Sequence, residues 1–219
     1  MKKIALIIIG LIVVNYSYGQ IQNEKDFDKS LIAELDTIYQ EDQNYRIRIN
    51  ELIMKSRSES ENIELITLIE LMNEKDSINL VKIEKILNKY GWLGADVIGE
   101  QGNETLFLVI QHSDLETQLK YLPMMREAVK KGNAKGTNFA LLVDRIEMGK
   151  GNRQIYGSQI KIDGDEFYVY PIIEPEKVNE RRAEIGLGGI EEYVKSVGIT
   201  WDVEKHKERT KKIEAEKEK

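Results

Sequence analysis

Apolar residues recurring every three or four positions constrain this chain more than any other feature. From Asp28 to about Met54, that spacing is kept by Leu31, Leu35, Ile38, Tyr39, Tyr45, Ile49, Leu52 and Ile53. Such a period lines one face of an α-helix; a strand, whose side chains alternate between faces, cannot use it. The polar stretch KSRSESEN (Lys55 to Asn62) interrupts the pattern. A second helix is expected through IELITLIELM and a third through SINLVKIEKILNKYG, closed by Gly91 in a C′ position. WLGADVIGEQGN, with its three glycines, reads as a loop. TLFLVI (Thr105 to Ile110) suits either a buried strand or one face of a short buried helix. Ser113 and Glu116 have capping-box spacing, so a new helix should start at Ser113 and kink or restart at Pro123. Thr137 is expected to cap the helix NFALLVDRIEM, which stops at Gly149.

Beyond Gly149 the period becomes alternating. QIYGSQIKI and EFYVYPII flank DGD, and Asp163-Gly164 is a tight-turn signal, so a β-hairpin is expected. Pro175 suits the first position of a helix ending before Gly186, and GIEEYVKSVG carries a further short helix. The segment from Val203 to Lys219 alternates charge sign and reads as a solvated, frayed helix. The fold class that follows is mainly α (α+β): a single helical domain with a small antiparallel β-hairpin.

The N-terminus has the anatomy of a secretory signal. MKK is basic, IALIIIGLIVV is apolar but short for a bilayer span, and Ser17 and Gly19 are small residues at the −3 and −1 positions. Residues 1–19 are therefore expected to be a cleaved signal peptide, with retention as an uncleaved anchor the lesser alternative, followed by a mature domain over 20–200 and a charged tail over 201–219. A periplasmic or secreted bacterial location follows, with no membrane association after cleavage. The absence of cysteine excludes disulfides, lipid-modified cysteine and thiolate metal ligands. Without Lys2 and Lys3, Lys plus Arg falls from 32 to 30 against 38 acidic residues, a mature net charge of −8. That sign disfavours nucleic acid and anionic membranes, since counterion release needs a basic surface.

Chemistry-bearing residues are sparse. Outside the tail the mature chain has one histidine, His112, which follows Gln111 at the end of its most apolar segment. A lone histidine there is most often a structural group bonded to backbone. Asp144-Arg145, Arg181-Arg182, Gln154 and Gln159 each have equally ordinary readings as helix or strand polar residues. No G-x-S-x-G elbow, Walker A loop, G-x-G-x-x-G or EF-hand ladder is present, and one histidine without thiols calls for no metal or cofactor.

Taken together, the short motifs resemble a bacterial family of domains of unknown function, the one numbered 6624. They are Asp42-Gln43 with Arg46 in DQNYR, Gly91-Trp92 in YGWLG, Gln111-His112 with Asp114, and Asp144-Arg145 in LLVDRI. Further along come Gln154, Tyr156, Gly157 and Gln159 in QIYGSQ, then Arg181-Arg182 and Gly186-Leu187 in NERRAEIGL. The resemblance runs from about Ser30 to Tyr193, with Ser158 where a threonine is usual and Leu93 where a proline often follows the tryptophan. It implies a shared fold and a shared set of polar residues, and no assigned reaction.

Imidazole with carboxylate is the ordinary acid–base pairing, and guanidinium suits an anionic group. The expectation is a polar cleft around His112, with Asp144 or Asp42 as the orienting carboxylate. Gln111, Arg46, Arg145, Gln154, Tyr156, Gln159, Arg181 and Arg182 would hold a small anionic ligand. Backbone N–H groups at the Ser113 helix start would assist. Two readings stand side by side: a hydrolase-type enzyme, which needs His112 and a carboxylate, and a non-catalytic binding module, which needs the arginines. A structural or interaction protein would instead show an apolar surface patch; no particular protein partner is indicated.

Overall fold

The computed structural model describes residues 29–53, 58–163 and 166–217. The signal-peptide reading and Gly164 of the expected turn lie outside the described residues. Among the described residues the fold is mainly α, with eight α-helices and one two-stranded antiparallel sheet. They form two compact units, one reaching Lys135 and one starting at Gly136. No helix among the described residues is long and apolar enough to cross a membrane.

The first unit is built on α1 (Lys29–Ile53), α2 (Glu59–Tyr90), α3 (Ala95–His112) and α4 (Leu115–Lys130). On α1 the buried positions Leu31, Leu35, Ile38, Asp42, Ile49 and Leu52 keep the three-and-four spacing. Each fully buried leucine or isoleucine there contributes about 1.5–3 kcal/mol, and the one polar member of the seam is Asp42. The register of α2 on α1 is antiparallel, set by Arg48–Glu64, Arg46–Asp76 and Glu41–Lys82. α3 runs parallel to α1: Thr105 Oγ1 reaches Leu35 O at 3.5 Å, and two turns on, His112 reaches Asp42.

Four expectations change here. The two helices expected between Ile63 and Gly91 are one 32-residue helix, α2. Its start, Ser58, makes a reciprocal capping box with Glu61 inside the stretch read as a break. Its middle, NEKDS, is polar but holds no glycine or proline, and Ser77 satisfies its hydroxyl on Asn73 O within the helix. The expected loop WLGADVIGEQGN is helical from Ala95 onward; within α3 only Gly99, at φ 74°, departs from helical geometry and kinks the helix, a conformation that L side chains disfavour. TLFLVI resolves as helix within α3. The fourth change is at the next helix start. Asp114, not Ser113, caps α4, accepting from Thr117 N–H at 2.8 Å. Ser113 instead donates to Ile110 O at 2.7 Å, closing α3. α4 continues through Pro123 to Lys130 without a restart.

The second unit comprises α5 (Gly136–Gly149), β1 (Ile160–Asp163), β2 (Glu166–Val169), a 3-10 turn (Pro175–Lys177), α6 (Val178–Glu184), α7 (Ile190–Lys195) and α8 (Val203–Lys217). α5 begins one residue before Thr137, and Pro175 opens the 3-10 turn that leads into α6. The strands pair antiparallel with Ile160 opposite Val169, a shorter hairpin than the flanking sequence suggested. Val169, Ile172, Val178, Ile190 and Val194 form its core, with Tyr193, Ile199 and Trp201 packed against it. The tail is helical as expected, but one face of it is docked rather than solvated. His206 and Thr210 are buried, and His206 Nε2 accepts from Ile172 N–H at 3.2 Å. Charge alternation hid these two inward-facing residues, spaced one helical turn apart.

Candidate functional site

In the first unit, polar residues replace apolar ones in the seams of three helices at one level. α1 contributes Asp42, only 1% exposed, and α3 ends on His112, whose side chain is 5% exposed. His112 Nδ1 lies 2.9 Å from Asp42 Oδ1. An ionised carboxylate only accepts, so Nδ1 carries the proton and Nε2 is left with a lone pair. Nε2 is buried and has no hydrogen-bond partner. Gln43 donates to Asp42 Oδ2 at 2.6 Å, and Arg46 donates to the Asp42 carbonyl at 2.7 Å with its guanidinium 3.3 Å from Oδ1. Arg46 also bonds Asp76 Oδ2 on α2 at 2.7 Å.

Burial opposes charge on both partners of the central pair. It pushes His112 below the usual histidine range, outweighing the hydrogen bond and charge of Asp42. For Asp42 the cost of burial is overcome by the hydrogen bond from His112, with the Arg46 charge and the Gln43 amide adding to it, and together they hold the carboxyl low. Neutral imidazole beside carboxylate is the state that results, and a base requires it.

Sequence reasoning missed Asp76 and Asn79. Asn79 is fully buried, neither of its amide atoms has a partner, and Asp76 Oδ1 is likewise buried and unpartnered. The signal was present: Asp76, Asn79, Ile83 and Ile86 keep the three-and-four spacing, so two polar residues continue an apolar seam. Gln111, beside His112, is buried, and its carbonyl accepts from Gln118 Nε2, which ties α3 to α4.

The second unit gathers Asp144, Arg145, Gln154, Tyr156, Gln159, Arg181 and Arg182 around one loop. Asp144 is fully buried on α5; Oδ1 accepts from Ile155 and Tyr156 N–H at 2.7 and 2.9 Å, and Oδ2 from Ser158 N–H at 2.8 Å. Burial raises its pKa despite those three bonds. Gln154 imitates a strand neighbour, accepting from Gln159 N–H at 2.6 Å and donating to Gln159 O and Tyr170 O. Gln159 accepts from Arg145 at 3.3 Å. Arg181 donates to Ile155 O and Ile173 O, and Arg182 to Tyr156 O and Gly188 O. Burial lowers the Arg182 pKa, and its guanidinium lies 5.1 Å from the centre of the Tyr193 ring. Gly157 sits at φ 68°, where a Cβ would come within 2.6 Å of Ile172 and 2.7 Å of Ile190. The loop QIYGSQ is therefore clamped through its backbone from α5 and α6.

Among the described residues, no group of three or more His, Cys, Asp or Glu is placed to hold a metal ion. A family model described as "Family of unknown function (DUF6624)" matches residues 29–204. That span covers most of the chain, and the chain belongs to this family. Neither the curated proteins nor the solved structures offer a match to it.

Proposed function

For a member of a family of unknown function, we propose that the first unit carries an acid–base centre of hydrolase type, with His112 as base and Asp42 as the carboxylate that orients it. One observation carries the reading: His112 Nδ1 is fixed by Asp42 while Nε2 is a buried lone pair with no partner. Structural histidines usually satisfy both nitrogens, because an unmade buried hydrogen bond costs about 1–3 kcal/mol. In this reading Nε2 takes a proton from an attacking water, the imidazolium is stabilised by Asp42, and the same proton passes to the leaving group. Asp144, Gln154, Arg181 and Arg182 have a different task, shaping the loop of the second unit, since their polar atoms are engaged by its backbone.

Enclosure of the ring favours a second reading, a binding module that surrounds its ligand without turning it over. The test compares wild type, His112→Gln and Asp42→Asn on small carboxylate esters, amides and phosphate esters. The acid–base reading expects His112→Gln to lose turnover by roughly 10²–10⁴-fold while it stays folded. Equal turnover by wild type and His112→Gln contradicts it, and a wild type inert on all three classes leaves the binding module.

A further inference from the structure

We propose that the ligand group received beside the His112 centre is a primary ammonium next to a carbonyl oxygen, held by Asp76 and Asn79. The inference rests on the acid–base reading above for the location of the site, and it adds the chemistry of what enters. Three buried acceptors lack a donor here: His112 Nε2, Asp76 Oδ1 and Asn79 Oδ1. The antiparallel register of α1 and α2, fixed by Arg46–Asp76 and by Glu41 with Lys75 and Lys82, brings Asn79 to the level of Asp42. His112 reaches that level from α3 through its bond to Asp42. An ammonium has donors and no acceptor, so two of its N–H groups suit Asp76 Oδ1 and Asn79 Oδ1, while the Nε2 lone pair beside them stays open to the water it deprotonates.

Charge selects the same group. Two carboxylates, Asp42 and Asp76, face one guanidinium, Arg46, and a neutral ring, so the cluster carries a net −1. Arg46 is already spent on both carboxylates and offers an anion little. The small anionic ligand expected from the sequence has no unspent cation to meet at this point, whereas an ammonium neutralises the cluster. A metal ion would satisfy the charge, but the described residues supply no three-ligand His, Cys, Asp or Glu group. The remaining unpartnered atom, Asn79 Nδ2, is a donor, and it suits a carbonyl oxygen next to the amine. The class is therefore a small amino amide or amino ester.

Three probes of similar shape separate the alternatives: glycinamide, acetamide and malonamate, followed by the His112 ring resonances and by calorimetry. Glycinamide is expected to bind saturably, acetamide roughly tenfold or more weakly, and malonamate not at all. Asp76→Asn should weaken glycinamide by roughly tenfold or more and leave acetamide unchanged. Asn79→Leu should abolish glycinamide binding while the protein remains folded, which its melting curve checks. Acetamide or malonamate binding as tightly as glycinamide, or glycinamide giving no saturable response, overturns the ammonium proposal. Those outcomes leave the turnover comparison of wild type with His112→Gln unaffected, so the acid–base reading stands or falls by itself.

Discussion

Asp42 occupies a position where its helix otherwise presents leucine and isoleucine, and the stability of that carboxylate depends on three neighbours. A buried charge with partners is tolerable, but removing one partner strands the rest. Asp42→Ala should therefore cost about 3–5 kcal/mol, because Arg46 and the His112 N–H lose their acceptor; urea unfolding measures it. Asn79 should behave in the opposite way. Its amide has no protein partner, so Asn79→Leu should raise stability by about 0.5–2 kcal/mol, the usual sign of a residue kept for function. A loss of stability in that variant would mean the amide is satisfied and structural. His112 was legible in the sequence because an imidazole closes the most apolar segment, and Asp42 only through the family resemblance of DQNYR. Asp76 and Asn79 were not, because Asp76 fell between two expected helices and Asn79 read as an ordinary polar residue in the first turn of the second of them.

Elements were legible where a period was long or a cap was marked. α1, the end of α2 at Gly91 and the helix after Pro175 follow from spacing and caps. The continuity of α2 and the helical state of TLFLVI do not, since polar runs without breakers and short apolar runs each fit two answers. The least legible element was α8. His206 stacks on Trp201 at 4.9 Å between ring centres, Glu214 holds Arg153, Lys207 meets Glu176, and Arg209 covers Tyr168. Exposed ion pairs contribute little, about 0–1 kcal/mol each, so the burial of His206 and Thr210 dominates the docking. Deleting Val203 to Lys219 should lower the melting temperature by about 5–10 °C, at roughly 2–4 °C per kcal/mol. An unchanged melting temperature would show that the helix is undocked in solution.

For the molecule as a whole, both histidines push in one direction with pH. His206 is buried beside Arg153 and Arg209, and burial first, then those charges, lowers its pKa to about 4. His112 is lowered by burial. A folded-state value below the unfolded one means the unfolded chain binds protons first, so stability present above pH ~6.5 is lost as pH falls. His206 alone should remove about 1–3 kcal/mol between pH ~6.5 and ~4, allowing for its partial solvent screening. Relief of net negative charge acts against this over the same range. Urea midpoints should fall across that window in wild type and fall less in His206→Gln. Parallel curves would remove His206 from the account.

The central claim is that His112 is held as a neutral base with Nε2 bare. Nitrogen-15 NMR of the His112 ring reads this directly. The account predicts the Nδ1–H tautomer at pH 7, a midpoint below the ordinary histidine value of about 6.5, and conversion of the tautomer in Asp42→Asn. A ring protonated at Nε2, or one that titrates above that value, would contradict it.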